Sequence, residues 1–126
     1  MDTPSEDTAG KSFSQPAPGR AAVYVYQGES NTMLDVTVNQ RVLGTLGGFS
    51  YLRTELAPGR YDLRAKSNAM DVASLPLEVR AGEIRYVRAT SAQQRYSLRE
   101  EPASVAQPAI LTGQRVRDIK FLEVPP

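Results

Sequence analysis

The 126-residue sequence contains neither cysteine nor histidine. It therefore forms no disulfide, and it offers no thiolate or imidazole ligand to a metal. Only ions that prefer oxygen ligands, such as Ca²⁺ or Mg²⁺, are compatible with its composition, and no loop clusters enough acidic residues to hold one. Histidine is also the commonest general base in enzymes. We therefore expect no metal and no other cofactor.

The sequence also lacks an excess of either charge and any long apolar run. A net charge of +1 favours neither nucleic acid nor an acidic membrane surface as a partner. No run approaches the ~20 apolar residues of a transmembrane helix, and no hydrophobic region of a signal peptide follows Met1. We expect either a cytoplasmic protein or one whose targeting leader has been removed.

The N-terminal segment is polar and rich in serine, threonine, proline and glycine. Such a segment buries too little surface to offset the entropy of ordering it. We therefore expect a disordered leader over residues 1–19, with Phe13 packing its end onto the protein, and a single domain over residues 20–124.

The sequence does contain short alternating segments separated by glycine and proline. In residues 34–65, Val36 and Val38 alternate with polar residues, and the same pattern surrounds Leu63. This alternation is typical of half-buried strands. The turns predicted between them fall at Asn39-Gln40, Gly47-Gly48 and Pro58-Gly59.

The flanking segments extend the sheet. Ala21–Tyr26 is apolar on both faces, which favours a central strand. Ser74–Arg80 alternates strictly, and Pro76 on its polar face favours an edge position. Ala81-Gly82 predicts a hairpin from this strand into Glu83–Thr90, and residues 66–73 are predicted as a polar loop. Arg95–Glu100 is a candidate for one further strand.

The C-terminal part leaves two alternatives. Val105, Ala109 and Ile110 have spacings compatible with a short helix, although Pro108 would interrupt its interior. Residues 103–122 are thus compatible with helix or with strand. The fold predicted is all-β: a single β-sandwich of about seven strands, of immunoglobulin or prealbumin type, with a flexible N-terminus and a short C-terminal helix as one alternative.

No catalytic pattern stands out. Most carboxylates alternate with apolar residues on predicted strands and should point to water, which disfavours a facing acid pair. No serine lies in a G-x-S-x-G turn, and Gly44–Gly48 lacks the lysine of a phosphate-binding loop. We predict that the protein is not an enzyme and has no catalytic residue.

The six tyrosines all lie on predicted strands, where tyrosine is a favoured residue. Ordinary core packing explains them, and an exposed strip that binds a protein or a glycan is the alternative. Strand addition at Leu75–Val79 or Asp35–Asn39 is a further alternative. The candidate partner-binding residues are Tyr24, Tyr26, Tyr61, Arg64, Tyr86 and Arg88.

Four segments together carry a resemblance to a known family. They are the opening PGRAAVYVY, the strand VTVN with VLG after it, the segment LAPGRYDLRA, and LEVRAGEIRYVR. From about Pro18 to Leu98 the chain resembles the bacterial domain-of-unknown-function family 2846, and its middle is similar to a PEGA-type repeat. The resemblance implies a small secreted or lipid-anchored envelope protein, and it brings no catalytic residue. The lipid-anchoring cysteine of many members is missing here, so this expectation assumes a removed leader.

These observations give one leading hypothesis and one alternative. The leading hypothesis is a non-enzymatic accessory or interaction domain of the bacterial envelope, periplasmic or anchored to the outer membrane. Its partner would be another envelope protein or a cell-wall polymer. The alternative is a carbohydrate- or peptidoglycan-binding module that uses exposed tyrosines. A cytoplasmic location stays open.

Overall fold

The computed structural model describes residues 13, 15–28, 30, 32–68, 70–92, 95–112 and 114–115. Within these ranges, nine strands form two sheets and one helix lies outside them. The strands are β1 (Ala21–Gln27), β2 (Leu34–Val38), β3 (Arg41–Leu46), β4 (Ser50–Leu56), β5 (Gly59–Ser67), β6 (Met70–Val79), β7 (Ile84–Ala92), β8 (Arg95–Glu100) and β9 (Gln114–Arg115). The helix is α1 (Ala103–Leu111). The predicted all-β sandwich is confirmed, with more strands than expected.

The larger sheet has the strand order β8-β7-β1-β4-β9. Its central strand β1 pairs antiparallel with β4 and parallel with β7. Val23 and Val25 face the core between the sheets, whereas Tyr24 and Tyr26 face outward into a second apolar cluster. Every residue of β1 is buried, as predicted for a central strand with two apolar faces.

The smaller sheet has the order β3-β2-β5-β6 and is antiparallel throughout. The predicted turn between β2 and β3 is confirmed: Asn39 and Gln40 both adopt positive φ, 48° and 68°, which suits a two-residue hairpin. β6 is an edge strand, as Pro76 indicated. The alternative of strand addition at Asp35–Asn39 is wrong, because β2 is not an edge strand and lies between β3 and β5.

Two other sequence-based predictions are wrong. Residues 66–73 are not a polar loop, because β5 continues to Ser67 and pairs there with Met70 at the start of β6. The polar residues of this hairpin cover the outer face of the sheet, so its polarity resembled that of a loop. In addition, β6 and β7 form no hairpin with each other: they belong to different sheets, and the turn at Gly82 carries the chain across the sandwich.

The helix α1 settles one alternative for the C-terminal part. Ala106 and Ile110 are buried against the outer face of the larger sheet, while Pro108 is exposed. Pro108 has no N–H to donate to the carbonyl of Ser104, and its ring crowds that carbonyl, yet the helix continues to Leu111. Gln114–Arg115 then pairs with β4, and the prediction for residues 116–122 lies outside the described residues.

The start of the described chain is held by aromatic contacts. The Phe13 ring lies 5.5 Å from that of Tyr24 and 6.2 Å from that of Tyr86, between ring centres. Phe13 therefore packs onto the domain, as expected. Residues 1–12 and 14 lie outside the described ranges, and the division into residues 1–19 and 20–124 stays a prediction.

Candidate functional site

The tyrosines of the predicted partner-binding set are buried. Tyr24, Tyr26 and Tyr86 pack together beneath α1, and Tyr24 stacks on Tyr86 with ring centres 5.3 Å apart. Tyr61 lies in the core between the sheets, and its hydroxyl donates to the carbonyl of Ala57 at 2.7 Å. The interpretation of these tyrosines as core residues is confirmed, and the alternative of an exposed strip is wrong for them, because each face that these side chains occupy is covered by apolar residues. Any contact of these residues with a partner stays a prediction.

Not every tyrosine hydroxyl in the cluster beneath α1 has a hydrogen-bond partner among the described residues. Arg53 donates from Nε to the Tyr24 hydroxyl at 3.2 Å, and its guanidinium lies over the Tyr24 ring. The Tyr26 hydroxyl has no hydrogen-bond partner among the described residues. Burial raises the pKa of Tyr26; the charge of Glu101 adds to this rise, and that of Arg88 opposes it. This buried surface is therefore structural support for the sheet.

The two arginines of the set lie on different surfaces. Arg64 is on the outer face of the smaller sheet, where Nε contacts Asp62 at 2.7 Å and Nη1 contacts Asp71 at 2.6 Å. Hydrogen bonds to Asp71 and Asp62 raise the pKa of Arg64. Arg88 is exposed on β7, on the other sheet. The structure therefore does not bring the six predicted residues into one site.

A different candidate surface lies at one end of the sandwich. The segments that follow β1, β3 and β5 meet there, since Gln27 pairs with Ser50 and Leu34 pairs with Leu46. The β5–β6 hairpin extends past the same end. Each segment exposes one large apolar side chain, and we call these three residues the loop end: Met33, Phe49 and Met70, with 60%, 54% and 69% of their surface exposed.

A polar network fixes the first of these segments. Gln27 is buried at the end of β1 and donates from Nε2 to the carbonyl of Thr32 at 3.0 Å. The Ser91 hydroxyl on β7 donates to Oε1 of Gln27 at 3.0 Å and lies 2.8 Å from the hydroxyl of Ser30. Gln27 Nε2 also donates to the carbonyl of Leu46 in the smaller sheet. The Gln27 side chain therefore connects the segment that carries Met33 with both sheets.

Close backbone contact fixes the second segment. A Cβ atom on Gly48 would overlap the backbone oxygen of Ser30, and the sulfur of Met33 lies 3.1 Å from the Cβ position of Gly47. Phe49 donates its backbone N–H to the carbonyl of Gly28 at 2.9 Å. Its φ of 52° is in the left-handed region, which is strained for an aromatic residue. The sequence predicted the Gly-Gly turn but not this exposed, strained phenylalanine.

The described residues also form a shallow depression outside the loop end. An open depression of about 280 Å³ lies on the β5–β6 ribbon, where Arg60 and Glu78 form an ion pair of 3.1 Å. Among the described residues, no three acidic side chains converge as metal ligands would. No helix in these ranges has the length and apolarity needed to span a bilayer.

Comparison with solved structures gives two matches from one protein. The C-terminal domain of AlgF from P. aeruginosa superposes with a TM-score of 0.55 at 21% identity, covering 65% of this chain and 96% of that domain. The N-terminal domain of AlgF gives a TM-score of 0.49 at 24% identity, covering 70% of this chain and all of that domain. The first likeness concerns the fold alone. Comparison with the curated proteins gives no match.

The family comparison agrees with the resemblance carried by the strand segments. The model described as "Protein of unknown function (DUF2846)" matches residues 17–103, from the turn before β1 to the start of α1. The match covers both sheets except β9 and includes Met33, Phe49 and Met70. The PEGA-type likeness of the middle segment has no support from the comparisons. The chain therefore belongs to the DUF2846 family.

Proposed function

We propose that this protein is a non-enzymatic interaction domain of the bacterial envelope that binds another envelope protein through the loop end. One observation carries the proposal. Three large apolar side chains, from three separate segments, are exposed at the same end of a rigid sandwich. Single exposed apolar residues are ordinary, but apolar residues gathered at one place are typical of interaction surfaces.

The backbone of Phe49 supports this proposal. A non-glycine residue in the left-handed region carries a strain of about 1–2 kcal/mol, and an exposed ring recovers little of it by burial within the chain. Contact with a partner would bury the ring and contribute roughly 25 cal/mol per Å² of apolar surface. Aromatic residues held in one geometry are frequent binding anchors, and methionines adapt to the partner around them.

The segments are preorganised, which favours binding over a purely structural role. The Gln27 network and the Gly48 contact hold Met33 and Phe49 in place in the free protein. A partner therefore does not have to order them, and the entropic cost of association is smaller. The envelope location rests on what the family resemblance implies, namely small secreted or lipid-anchored proteins.

Photo-crosslinking in the native cell tests the proposal. A photoreactive amino acid replaces Phe49, or, as the control, the exposed Ala81 in the β6–β7 turn at the opposite end of the sandwich. We expect a discrete protein adduct from position 49 in the periplasmic or membrane fraction, lost in a Met33→Ser, Met70→Ser background. Equal adducts from both positions, or adducts only in the cytoplasmic fraction, would contradict it.

The structure does not favour the sequence-based alternative of a carbohydrate-binding module, because the tyrosine faces it required are buried. The non-enzymatic assignment has its own test. A panel of hydrolase and transferase substrates should give no turnover. Turnover that disappears on substitution of a single carboxylate would overturn the assignment.

A further inference from the structure

Three arginines share the outer face of the β7–β8 ribbon. On β8, Tyr96 and Leu98 face the core between the sheets, so Arg95 and Arg99 face outward with Ser97 between them. Arg99 lies directly opposite Arg88 of β7 in the antiparallel register. All three arginines are exposed.

These arginines lack a carboxylate within ion-pair distance in the described part of the chain. Four other strand arginines are neutralised: Arg53 pairs with Glu55, Arg60 with Glu78, Arg64 with Asp62 and Asp71, and Arg85 with Glu83 and Glu100. Arg41, exposed at the start of β3, has no ion pair among the described residues, but it faces no second arginine. Like charges directly opposite each other on neighbouring strands are destabilising. Folding alone therefore does not explain Arg88 opposite Arg99, whereas an anionic ligand would.

The backbone of β8 adds a second, independent observation. β8 is the edge strand of the larger sheet. Among the described residues no backbone hydrogen bond joins it to β6, the neighbouring edge of the other sheet. It also contains no proline, unlike β6 with Pro76. An edge of this kind presents unpaired N–H and C=O groups to which a further strand can add.

We propose that β8 binds an extended acidic segment of a partner protein by strand addition. Residues i and i+2 of a strand are separated by ~6.6 Å along its axis, and this spacing is the same in β8 and in the added strand of the partner. Carboxylates at alternate positions of an added strand would therefore lie opposite the outer-face positions of β8. Arg95 and Arg99 would each form a charge-assisted hydrogen bond with a carboxylate. These arginines are not residues of the loop end, and the inference does not depend on the proposed function.

Titration with a labelled synthetic peptide tests the inference. The peptide has glutamate at alternate positions, and glutamine replaces every glutamate in its control. We expect binding of the acidic peptide only, weakened about tenfold or more by Arg95→Glu with Arg99→Glu, as for the loss of two charge-assisted bonds. The matched control is Arg41→Glu with Arg80→Glu, which changes two exposed arginines elsewhere and should bind as the parent does. The milder Arg95→Gln, Arg99→Gln pair and a thermal unfolding curve for each variant separate lost binding from lost folding.

Amide hydrogen exchange distinguishes strand addition from charge attraction alone. On binding, amides of Arg95–Glu100 should exchange more slowly, while those of β3, the edge of the other sheet, should not change. Binding without protection of β8, equal weakening in both arginine pairs, or binding of a polyanionic polysaccharide or anionic vesicles but not of the peptide would overturn the inference. Crosslinking from Phe49 should persist in the arginine variants, so failure of either proposal is recognised separately.

Discussion

Ala17 donates its backbone N–H to the Glu55 carboxylate at 3.1 Å, which fastens the segment before β1 to the neighbouring strand β4. Arg53 holds the other carboxylate oxygen at 2.9 Å, and Arg20 donates to the Glu55 carbonyl at 2.9 Å. Burial raises the pKa of Glu55, but the hydrogen bonds from Ala17 and Arg53 and the charges of Arg53 and Arg20 outweigh it, so the pKa lies below its usual 4.5.

This lowered pKa predicts a loss of stability in acid. A carboxyl with a lower pKa in the folded state stabilises the fold above its unfolded pKa, and this contribution disappears as the pH falls through the folded value. Glu55→Gln should lower the free energy of unfolding at neutral pH by about 1 kcal/mol. Below about pH 4.5, the free energy of unfolding should decline less steeply in the variant than in the parent. Urea unfolding across this range measures both effects. Parallel pH profiles for the parent and the variant would contradict the prediction.

Leu63 lies in the main core on β5, with 1% of its surface exposed, opposite Leu75 of the edge strand β6. Leu63→Ala should lower the free energy of unfolding by roughly 2–5 kcal/mol, because it removes buried methyl groups and leaves a cavity. Leu75→Ala is the matched control and should cost less, since Leu75 is only half-buried. A change below about 0.5 kcal/mol at Leu63 would mean that the β5 side chains face the opposite way.

Gly48 is required by the close approach of Ser30. Gly48→Ala should destabilise the protein by about 1–3 kcal/mol, because its Cβ would overlap a backbone oxygen that cannot move without disturbing the Gln27 network. Gly28→Ala serves as the control, since a Cβ there meets only the end of the Arg88 side chain at 3.4 Å. Thermal unfolding compares the two. Equal melting temperatures for the two variants would show that the backbone at Ser30 shifts to accommodate the new Cβ without loss of stability.

Substitution of Phe49 distinguishes a role of this residue in binding from a role in the stability of the fold. Phe49→Gly relieves about 1–2 kcal/mol of left-handed strain and adds about 0.5–1 kcal/mol of unfolded-state entropy. The free energy of unfolding should therefore stay within about 1 kcal/mol of the parent. With a photoreactive amino acid at position 33, crosslinking to the partner should fall sharply in this variant. Destabilisation beyond about 2 kcal/mol would instead assign Phe49 to the support of the fold.

Thr37 is fully buried on β2, and its hydroxyl has no partner among the described residues. Thr37→Val keeps the shape and removes an unpaired polar group, so it should raise the free energy of unfolding by about 1 kcal/mol. Thr45→Val is the opposite case, because the Thr45 hydroxyl donates to Asp35 at 2.6 Å, and it should be neutral or destabilising. Chemical denaturation distinguishes them. Destabilisation by Thr37→Val would indicate a partner for the hydroxyl.

The strands themselves were predictable because their signal is local. Alternation around Val36 and Leu63, the turn at Asn39-Gln40 and the edge signal of Pro76 all depend on neighbours along the chain, and the structure confirms each. Pairing depends on distant segments. No local pattern distinguishes a hairpin from a turn that changes sheets, so the step from β6 to β7 was predicted wrongly.

The candidate site was less predictable for a related reason. Tyr24 and Tyr86 share a strand face that a sequence pattern cannot assign to water or to a covering helix, and α1 contains a proline that argued against the helix. Phe49 has no periodic signal at all. Its exposure and positive φ occur next to the close approach of Gly48 to Ser30, which is a contact between segments distant in sequence. An aromatic residue directly after Gly-Gly is the one cue that was present.

The parallel pairing of β1 with β7 has a consequence for biosynthesis. Ala22 leaves the ribosome early, but its partner Ile84 follows only after five further strands have been made. One side of the central strand must therefore remain unsatisfied while the chain grows, and contacts between distant segments form slowly. The nascent protein thus carries an open apolar ribbon for much of its synthesis, which is the form that a holding chaperone would recognise.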